Sequence, residues 1–474
     1  MWHLSTLLGQ GGSAGGYQFI ARNPDACDRP CDTAVDLPMA SSPLDPFLLE
    51  MGFVVLDGGL ATELEAQGAD LTGNLWSAAL LADNPSLIRN THLAYYRAGA
   101  DVATSASYQH SFEGFLRKGI GPERAEELLL LSVRLAVEAR DQFWAEYQEE
   151  HPAPRPAPTK PQTSQQASQP TATAMVDEEN AKQHQQPLSG SEGRPHRRRL
   201  RPLVAASLGC YGAVLADGSE YRGDYVDMPA ESLKEFHARR LEILARADGV
   251  DMVVFETVPC LAEVRAILSL LQDFRSRVSA VISVSCKDDQ HLRSGERLQD
   301  FADLIWRSAE EQDATEGPPA VKATTATMAT RPACVVAVGV NCTSPSHAAG
   351  ALRTLAAARA RPDARHGAPR ETPPSRIALV AYPNSGEEWD ASARDWVEGT
   401  GLREGGAGGG GGAEEFGRMA RDEWFAAGAR VIGGCCRTRP AHVTEIRRAL
   451  ALAAEGGVQE GEGQKHSAWY QEPS

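Results

Sequence analysis

The 474-residue sequence has no long apolar run and no excess of positive charge. No stretch approaches the roughly 18 uncharged residues that a membrane span requires, so no membrane protein is expected. The formal net charge of -16 argues against a surface that binds the phosphates of nucleic acid. The nine cysteines lack the spacing of a small disulfide-bonded domain. They favour free thiols and a cytoplasmic protein.

Several segments are too polar or too glycine-rich to contribute to a packed core. Residues 1–50 are expected to form an N-terminal extension, either disordered or an organelle-targeting segment, and they lack the apolar core of a secretory signal. Residues 456–474 are expected to form a C-terminal tail. Low-complexity inserts, which predict surface loops, occupy residues 147–200, 312–331, 361–375 and 400–414. The remainder of residues 51–455 predicts a single domain.

Eight short apolar runs within this domain read as buried parallel strands. The predicted strands are 53–58, 101–107, 202–209, 251–256, 280–286, 334–341, 377–383 and 429–433. Amphipathic stretches such as 122–148 and 229–248 lie between most of them and predict helices. The alternation predicts a (β/α)8 TIM-type barrel, with a doubly wound open sheet as the alternative. No G-x-G-x-x-G follows the first strand, which weakens a dinucleotide-binding open sheet.

Three cysteines stand at the ends of two of these runs. Cys342 ends the sixth run, and Cys435 and Cys436 directly follow the eighth. Thiolates that converge from two strand ends could bind one soft metal ion, and zinc is the best match. Three protein ligands would leave a fourth tetrahedral position open, which distinguishes a catalytic zinc site from a structural one.

Other polar residues occupy equivalent positions at the ends of the predicted strands. They are Asp57, Tyr108, Glu256, Asn341 and Asn384. In (β/α)8 barrels, active-site residues come from the C-terminal ends of the strands. The position of these residues therefore favours a barrel and predicts that they share one site with the cysteines.

A series of motifs, in order along the chain, resembles the homocysteine S-methyltransferase family. The motifs are Asp57-Gly58-Gly59-Leu60-Ala61-Thr62-Glu63-Leu64, Thr104-Ser105-Ala106-Ser107-Tyr108-Gln109, Ser111-Phe112-Glu113-Gly114-Phe115, Phe255-Glu256-Thr257-Val258-Pro259-Cys260, Val340-Asn341-Cys342-Thr343-Ser344-Pro345, Tyr382-Pro383-Asn384-Ser385-Gly386-Glu387 and Gly433-Gly434-Cys435-Cys436-Arg437-Thr438. The resemblance extends from about residue 53 to residue 450. It implies a barrel that holds zinc on three thiolates, which correspond here to Cys342, Cys435 and Cys436.

The resemblance also implies an activity and roles for the other polar residues. A methyl group would pass from S-methylmethionine or S-adenosylmethionine to the zinc-activated thiolate of L-homocysteine, giving methionine. Similarity to the related betaine-using enzymes implies that Asp57 and Glu256 hold the amino group of homocysteine. Tyr108 would contact the zinc or the substrate, and Asn341 and Asn384 would bond the substrate carboxylate. Each of these five residues could instead cap or fix a neighbouring loop.

Alternative interpretations of the same sequence remain open. The enzyme could use betaine as donor, or it could methylate selenocysteine or another thiol. The Ser111–Phe115 and Tyr382–Gly386 motifs look more like the sulfonium-using branch. A different class is a non-catalytic zinc or thiol-redox protein with Cys435 and Cys436 as a vicinal pair, although no fourth zinc ligand is evident in the sequence. The sequence does not distinguish the two sulfonium donors or the oligomeric state.

Overall fold

The computed structural model describes residues 42–71, 76–152, 198–215, 218–225, 228–274, 278–316, 334–359, 377–390, 395–397, 401–402 and 411–456. The strands are β1 (Val54–Val55), β2 (Val102–Thr104), β3 (Leu203–Gly209), β4 (Met252–Val258), β5 (Ser279–Val284), β6 (Cys334–Asn341), β7 (Ala378–Tyr382), β8 (Glu388–Asp390), β9 (Asp395–Val397) and β10 (Ala429–Ile432). The helices are α1 (Asp45–Met51), α2 (Leu60–Ala66), α3 (Trp76–Asp83), α4 (Pro85–Ala98), α5 (Phe112–Arg117), α6 (Pro122–Glu150), α7 (Tyr211–Leu215), α8 (Ser219–Arg222), α9 (Ala230–Leu244), α10 (Leu261–Asp273), α11 (Leu298–Glu316), α12 (Pro345–Arg359), α13 (Gly411–Met419) and α14 (Pro440–Gly456).

Eight of the strands form one parallel sheet that closes on itself. Their order is β1-β10-β7-β6-β5-β4-β3-β2, and every neighbouring pair is parallel. A parallel bridge between Leu56, just after β1, and Val102 of β2 joins the two edge strands. The sheet with its surrounding helices confirms the predicted (β/α)8 barrel. The closing bridge excludes the open-sheet alternative.

Local sequence explains why these elements form where they do. All of β4 is buried, as expected for a parallel strand covered on both faces. Helix α10 buries Val264, Ile267 and Leu271, which lie on one helical face at intervals of three and four residues. Helix α4 begins at Pro85, and the side chain of Asn84 accepts a hydrogen bond from the backbone of the first turn. The eight predicted strands all lie where barrel strands are found.

The boundary predicted at residue 50 is wrong. Helix α1 covers Asp45–Met51, and Leu44, Phe47 and Met51 are buried in the main core. The helix occupies only two turns and begins beside proline, so its apolar side chains were too few to show a helical period in the sequence. Residues 42–50 therefore belong to the barrel domain rather than to the N-terminal extension.

The predicted inserts are only partly covered by the described residues. Helix α6 continues to Glu150 and α11 to Glu316, and both ends lie inside segments predicted as loops. The small antiparallel β8–β9 hairpin was not predicted. The predictions for residues 1–41, 153–197, 317–331, 361–375, 403–410 and 457–474 lie outside the described residues. In the part that is described, no helix is both long and apolar enough to span a membrane.

Candidate metal centre

Three cysteine sulfurs meet at the C-terminal mouth of the barrel. The Sγ atoms of Cys342, Cys435 and Cys436 all lie within 4.8 Å of one another, and those of Cys342 and Cys436 are 3.7 Å apart. Two sulfurs on a tetrahedral zinc ion would be about 3.8 Å apart, given Zn–S bonds of about 2.3 Å. In the described part of the chain, no other His, Cys, Asp or Glu joins the group. The donor set therefore fits a zinc ion with three thiolate ligands and one open position.

The barrel brings these sulfurs together through neighbouring strands. Cys342 follows β6 and Cys435 follows β10, and β7 lies between these two strands. The loop after β7 fixes the cysteine pair: Cys435 N donates to Pro383 O at 2.8 Å, and Ser385 N donates to Cys436 O at 3.1 Å. These backbone hydrogen bonds therefore fix the positions of Cys435 and Cys436 against the loop after β7.

Glycine is required just before the cysteine pair. A Cβ atom on Gly434 would lie 2.2 Å from Thr438 Oγ1, which is closer than any real contact of that kind. Thr438 Oγ1 also donates to Cys435 O at 2.8 Å. The loop can therefore fold tightly around the cysteine pair only because position 434 has no side chain.

Left-handed backbone conformations are concentrated around the same site. Among the described residues, the non-glycine residues with positive φ are Thr257 (62°), Cys342 (46°) and Arg437 (65°). Thr257 follows Glu256, and Arg437 follows Cys436. Residues with a Cβ rarely adopt this conformation, and it costs on the order of 1–3 kcal/mol at each position. Such strain is typical of sites where the position of a side chain matters for function.

Hydrogen bonds within the cluster distinguish the three thiols. The pKa of Cys436 is lowered well below its usual range because Cys342 and Cys435 hydrogen-bond to its sulfur, with a smaller contribution from Tyr221. The pKa of Cys435 is raised because its thiol is hydrogen-bonded to Cys342 and Cys436, and partial burial adds to the increase. A negative charge is therefore favoured first at Cys436.

The two predicted carboxylates are both present at this end of the barrel and both are buried. Asp57 follows β1 and accepts hydrogen bonds from the backbone N of Thr104 at 2.8 Å and from its hydroxyl at 3.1 Å. Glu256 lies on β4, where Ser207 of β3 donates a hydrogen bond to it. The side chains are 3% and 8% exposed, respectively. No basic side chain in the described residues forms an ion pair with either carboxylate.

Burial changes the ionisation of both acids. Desolvation raises the pKa of Asp57 to about 8, and the charge of Glu256 adds to the increase. Desolvation also raises the pKa of Glu256 to about 7, against the opposing effect of the hydrogen bond from Ser207. Two buried acids without a cation are suited to receive a positively charged group, because its binding would favour their ionised forms.

Asn341 and Asn384 differ in how their side chains are used. Asn341 Oδ1 accepts from Thr257 N at 2.8 Å and from Ser283 Oγ at 2.9 Å, and Nδ2 donates to Thr257 Oγ1 at 2.7 Å. Its Nδ2 also lies 4.0 Å from Cys435 Sγ. Asn384 is 6% exposed, and its Oδ1 has no hydrogen-bond partner in the part of the chain that is described. Asn384 therefore has a free polar atom for a ligand, whereas Asn341 is occupied in holding the protein.

Two tyrosines lie near the cysteine cluster. Tyr108 packs against Gly209 at the end of β3, and burial raises the pKa of its phenol, with smaller effects from Cys210, Glu220 and Cys342. Tyr221, which was not predicted, places its hydroxyl 3.9 Å from Cys436 Sγ. Tyr221 lies on the short helix α8, for which the sequence has no strand-end signal.

Several supporting residues were also missed because they act through their neighbours. Thr104 and Ser207 bond the two acids, and Thr257 bonds Asn341. Glu387 forms an ion pair with Arg437 and links the loops after β7 and β10. Thr104, Thr257 and Glu387 lie within the motifs identified above, but only the strand pairing shows which side chains they contact.

Sequence comparisons place this arrangement in a known family. The family model described as homocysteine S-methyltransferase matches residues 54–450. The chain belongs to the homocysteine S-methyltransferase family. The match covers the whole barrel, including all three cysteines and both buried acids. It confirms the resemblance found in the sequence motifs.

Individual relatives are similar over most of their length. "Homocysteine S-methyltransferase 3" of Zea mays is 36% identical over 400 residues, which is 84% of this chain and 90% of the relative. "Selenocysteine Se-methyltransferase" of Brassica oleracea var. italica is 34% identical, covering 84% of this chain and 89% of the relative. Family members therefore include proteins named for a thiol substrate and for a selenol substrate.

Solved structures of a bacterial relative share the fold. The oxidised form of the homocysteine methyltransferase MmuM from Escherichia coli matches with a TM-score of 0.57 and 32% identity, over 86% of this chain and 99% of that one. Its metallated form matches with a TM-score of 0.56 and 31% identity, with the same coverage. A metallated form of this relative has thus been solved, and the three-cysteine cluster of this chain is a candidate metal site.

Proposed function

We propose that this protein transfers a methyl group from a sulfonium donor, S-methylmethionine or S-adenosylmethionine, to the sulfur of L-homocysteine, giving methionine. The observation that carries the proposal is the cluster of three cysteine sulfurs within 4.8 Å of one another, with no fourth ligand among the described residues. Family membership supports the same activity. A structural zinc site would be expected to have four protein ligands.

Cys342, Cys435 and Cys436 would hold a zinc ion at this site. When bound, zinc supplies a Lewis acid that favours the thiolate form of a sulfur ligand at neutral pH. An unperturbed thiol, with a pKa of about 8.5, is mostly protonated and a poor nucleophile under these conditions. The cysteine cluster therefore explains how a weak nucleophile could be activated in this barrel.

Asp57 and Glu256 would bind the ammonium group of homocysteine. Both are buried acids without a cationic partner among the described residues, and an ammonium ion can satisfy two carboxylates at once. Asn384 would accept a hydrogen bond from the substrate through its side-chain Oδ1, which has no partner among the described residues. Asn341 would act as a positioning residue, because its amide holds Thr257 and lies beside Cys435. Tyr108 would form part of the wall of the substrate pocket.

The transfer itself requires alignment rather than an acid or a base. A new bond forms between the homocysteine sulfur and the methyl carbon as the bond from that carbon to the donor sulfur breaks. The electron pair of the broken bond stays on the donor sulfur, which changes from a cation to a neutral thioether. Charge is lost as the reaction proceeds, so a partly desolvated site favours the step. The buried mouth of the barrel provides such a site.

The direct test is to supply zinc-loaded protein with homocysteine and each donor separately and to measure methionine. We expect methionine from at least one sulfonium donor and none from betaine. Replacement Cys435→Ala should remove both bound zinc and activity. Cys260→Ala is the matched control, because Cys260 is a buried cysteine at the start of α10, outside the cluster. No methionine from any donor, with one zinc bound per chain, would contradict the proposal.

A second acceptor is supported by the selenocysteine-named relative. Selenocysteine has a shorter side chain than homocysteine, so its selenium would have to reach the same metal position from a differently placed ammonium group. Comparing kcat/KM for the two acceptors with a common donor would rank them. If kcat/KM for selenocysteine were at least tenfold higher than for homocysteine, selenocysteine would be the principal acceptor.

A further inference from the structure

Beside the cysteine cluster lies an arginine, Arg293, that pairs with no carboxylate of the described residues. Arg293 is in the loop after β5, and its Nη2 donates to Cys342 O at 3.2 Å while its Nε donates to Ser285 Oγ at 3.1 Å. Within the described residues, none of the acidic side chains forms an ion pair with it. The other N–H groups of the guanidinium have no acceptor there either. A fixed cation with spare donors is therefore available at the mouth of the barrel.

The surrounding loop holds this guanidinium in place. Arg293 N donates to Ser285 O at 3.0 Å, and the next residue, Ser294, donates to Pro259 O at 3.1 Å. The guanidinium carbon lies 5.5 Å from the centre of the Tyr221 ring, and the hydroxyl of that ring is 3.9 Å from Cys436 Sγ. Arg293 and the cysteine cluster thus adjoin the same tyrosine. A planar guanidinium fixed in this way is well suited to bind a carboxylate through two parallel hydrogen bonds.

The burial of the other polar groups at the site indicates which substrate would contact Arg293. Asp57, Glu256 and Asn384 are each less than 9% exposed, and the acceptor must place its sulfur beside the cysteines. The acceptor would therefore occupy the buried part of the site. Arg293 is only partly buried and belongs to a loop beyond the strand end. A donor that approaches from the solvent side would encounter it, and both sulfonium donors considered above carry an α-carboxylate.

On the basis of the proposed function, we propose that Arg293 binds the α-carboxylate of the sulfonium donor. The residue would thereby select donors of the amino-acid type over sulfonium ions that lack a carboxylate. Its contact with Cys342 O would place the bound donor next to the metal-binding thiolates. This role is separate from the recognition of the acceptor, which rests on Asp57 and Glu256.

The test uses zinc-loaded full-length protein and two donors, S-methylmethionine and its carboxamide analogue, which lacks the negative charge. For Arg293→Met, we expect the Kd and KM for S-methylmethionine to rise roughly 10- to 100-fold, as for the loss of a hydrogen-bonded charge pair. The values for the carboxamide should change less than about threefold, because that donor has no charge to lose. Arg293→Lys should recover part of the affinity for S-methylmethionine.

Controls separate this role from a purely structural one. Arg297→Met removes a cation from the same loop, but Arg297 is 68% exposed and pairs with Asp300 at the surface, so donor affinity should not change. Zinc content and the KM for homocysteine should stay within about twofold in Arg293→Met, since neither depends on a donor carboxylate. If Arg293→Met lost affinity equally for the two donors, or only for homocysteine, the proposed role of Arg293 would be overturned.

The outcomes also distinguish this inference from the proposed function. Donor affinity is measured by calorimetry and does not require turnover. If wild-type protein binds zinc but makes no methionine from any donor, the proposed function fails. If wild-type protein makes methionine and Arg293→Met binds S-methylmethionine as tightly as wild type, only the role of Arg293 fails.

Discussion

The raised pKa values of the two buried acids predict that ligand binding releases protons. Asp57 has a pKa of about 8 and Glu256 a pKa of about 7 in the free protein. A bound ammonium ion would favour both ionised forms, so protons held by the free protein must leave. L-methionine, the expected product, is the best ligand for the experiment because it has the ammonium group but no ionisable thiol.

The size of the effect follows from these two values. At pH 6 both acids are almost fully protonated, and binding should release about 1.9 protons; at pH 8 the number falls to about 0.6. The sign is therefore that affinity increases as the pH rises. Between pH 6 and pH 8 the increase should be a few hundredfold, if both acids are fully ionised in the complex.

Calorimetry in buffers with different ionisation enthalpies measures the protons released. The protein should be titrated with L-methionine at pH 6, 7 and 8. It should be loaded with zinc, because metal-bound cysteine thiolates do not take up protons in this range. In Asp57→Asn, the release at pH 8 should fall to about 0.1 proton, because only Glu256 remains and it is already ionised. The absence of proton release in the wild-type protein at pH 6 would refute the assignment of these acids to the ammonium group.

Further predictions concern stability and metal binding. Burial raises the pKa of Asp57 above its unfolded value, so the stability of the ligand-free protein falls as the pH rises from about 4 to about 8. Asp57→Asn should therefore stabilise the protein by up to about 5 kcal/mol at pH 8 but not at pH 4, and urea denaturation at the two pH values measures this. Asp101→Asn should destabilise the fold by about 3 kcal/mol in urea denaturation, because this buried acid accepts a hydrogen bond from Val55 N in β1 and pairs with two arginines. The surface substitution Asp300→Asn is the control and should lower the free energy of unfolding by less than about 1 kcal/mol. Equal decreases in the two variants would show that the buried pairing of Asp101 contributes nothing to stability. Asn341→Ala should lower zinc affinity about 10- to 100-fold in a chelator competition, because its amide lies beside Cys435. The control Asn84→Ala removes only a helix cap and should leave zinc affinity unchanged. Unchanged affinity in both variants would exclude Asn341 as a positioning residue.

Much of the barrel could be predicted because its signals are local. Short β-branched runs identified all eight strands, and amphipathic stretches identified the helices between them. The same reasoning failed for α1, since a helix of two turns shows no clear period. It also failed for the ends of α6 and α11, which continue into segments whose composition resembles that of loops.

The candidate site was predictable to a similar extent. Cys342, Cys435, Asp57 and Glu256 all stand at strand ends, and parallel strands bring their C-terminal ends to one mouth. Asn341 was expected to bond the substrate carboxylate, but its Nδ2 donates to Thr257 Oγ1, while its Oδ1 accepts from Thr257 N and Ser283 Oγ. That difference arises from contacts across neighbouring strands, which have no signature within a single stretch of sequence.

The sequence by itself determined the fold class, the family and the set of residue types gathered at the mouth of the barrel. These depend on local periodicity and on the rule that parallel strands end together. Only the tertiary structure decided which side chains are partnered and which are free. Strand order and loop packing place Ser207 on Glu256 and Arg293 on Cys342, and they leave Asn384 Oδ1 without a hydrogen-bond partner among the described residues. Such pairings join residues tens of positions apart, and only the closed barrel brings them together.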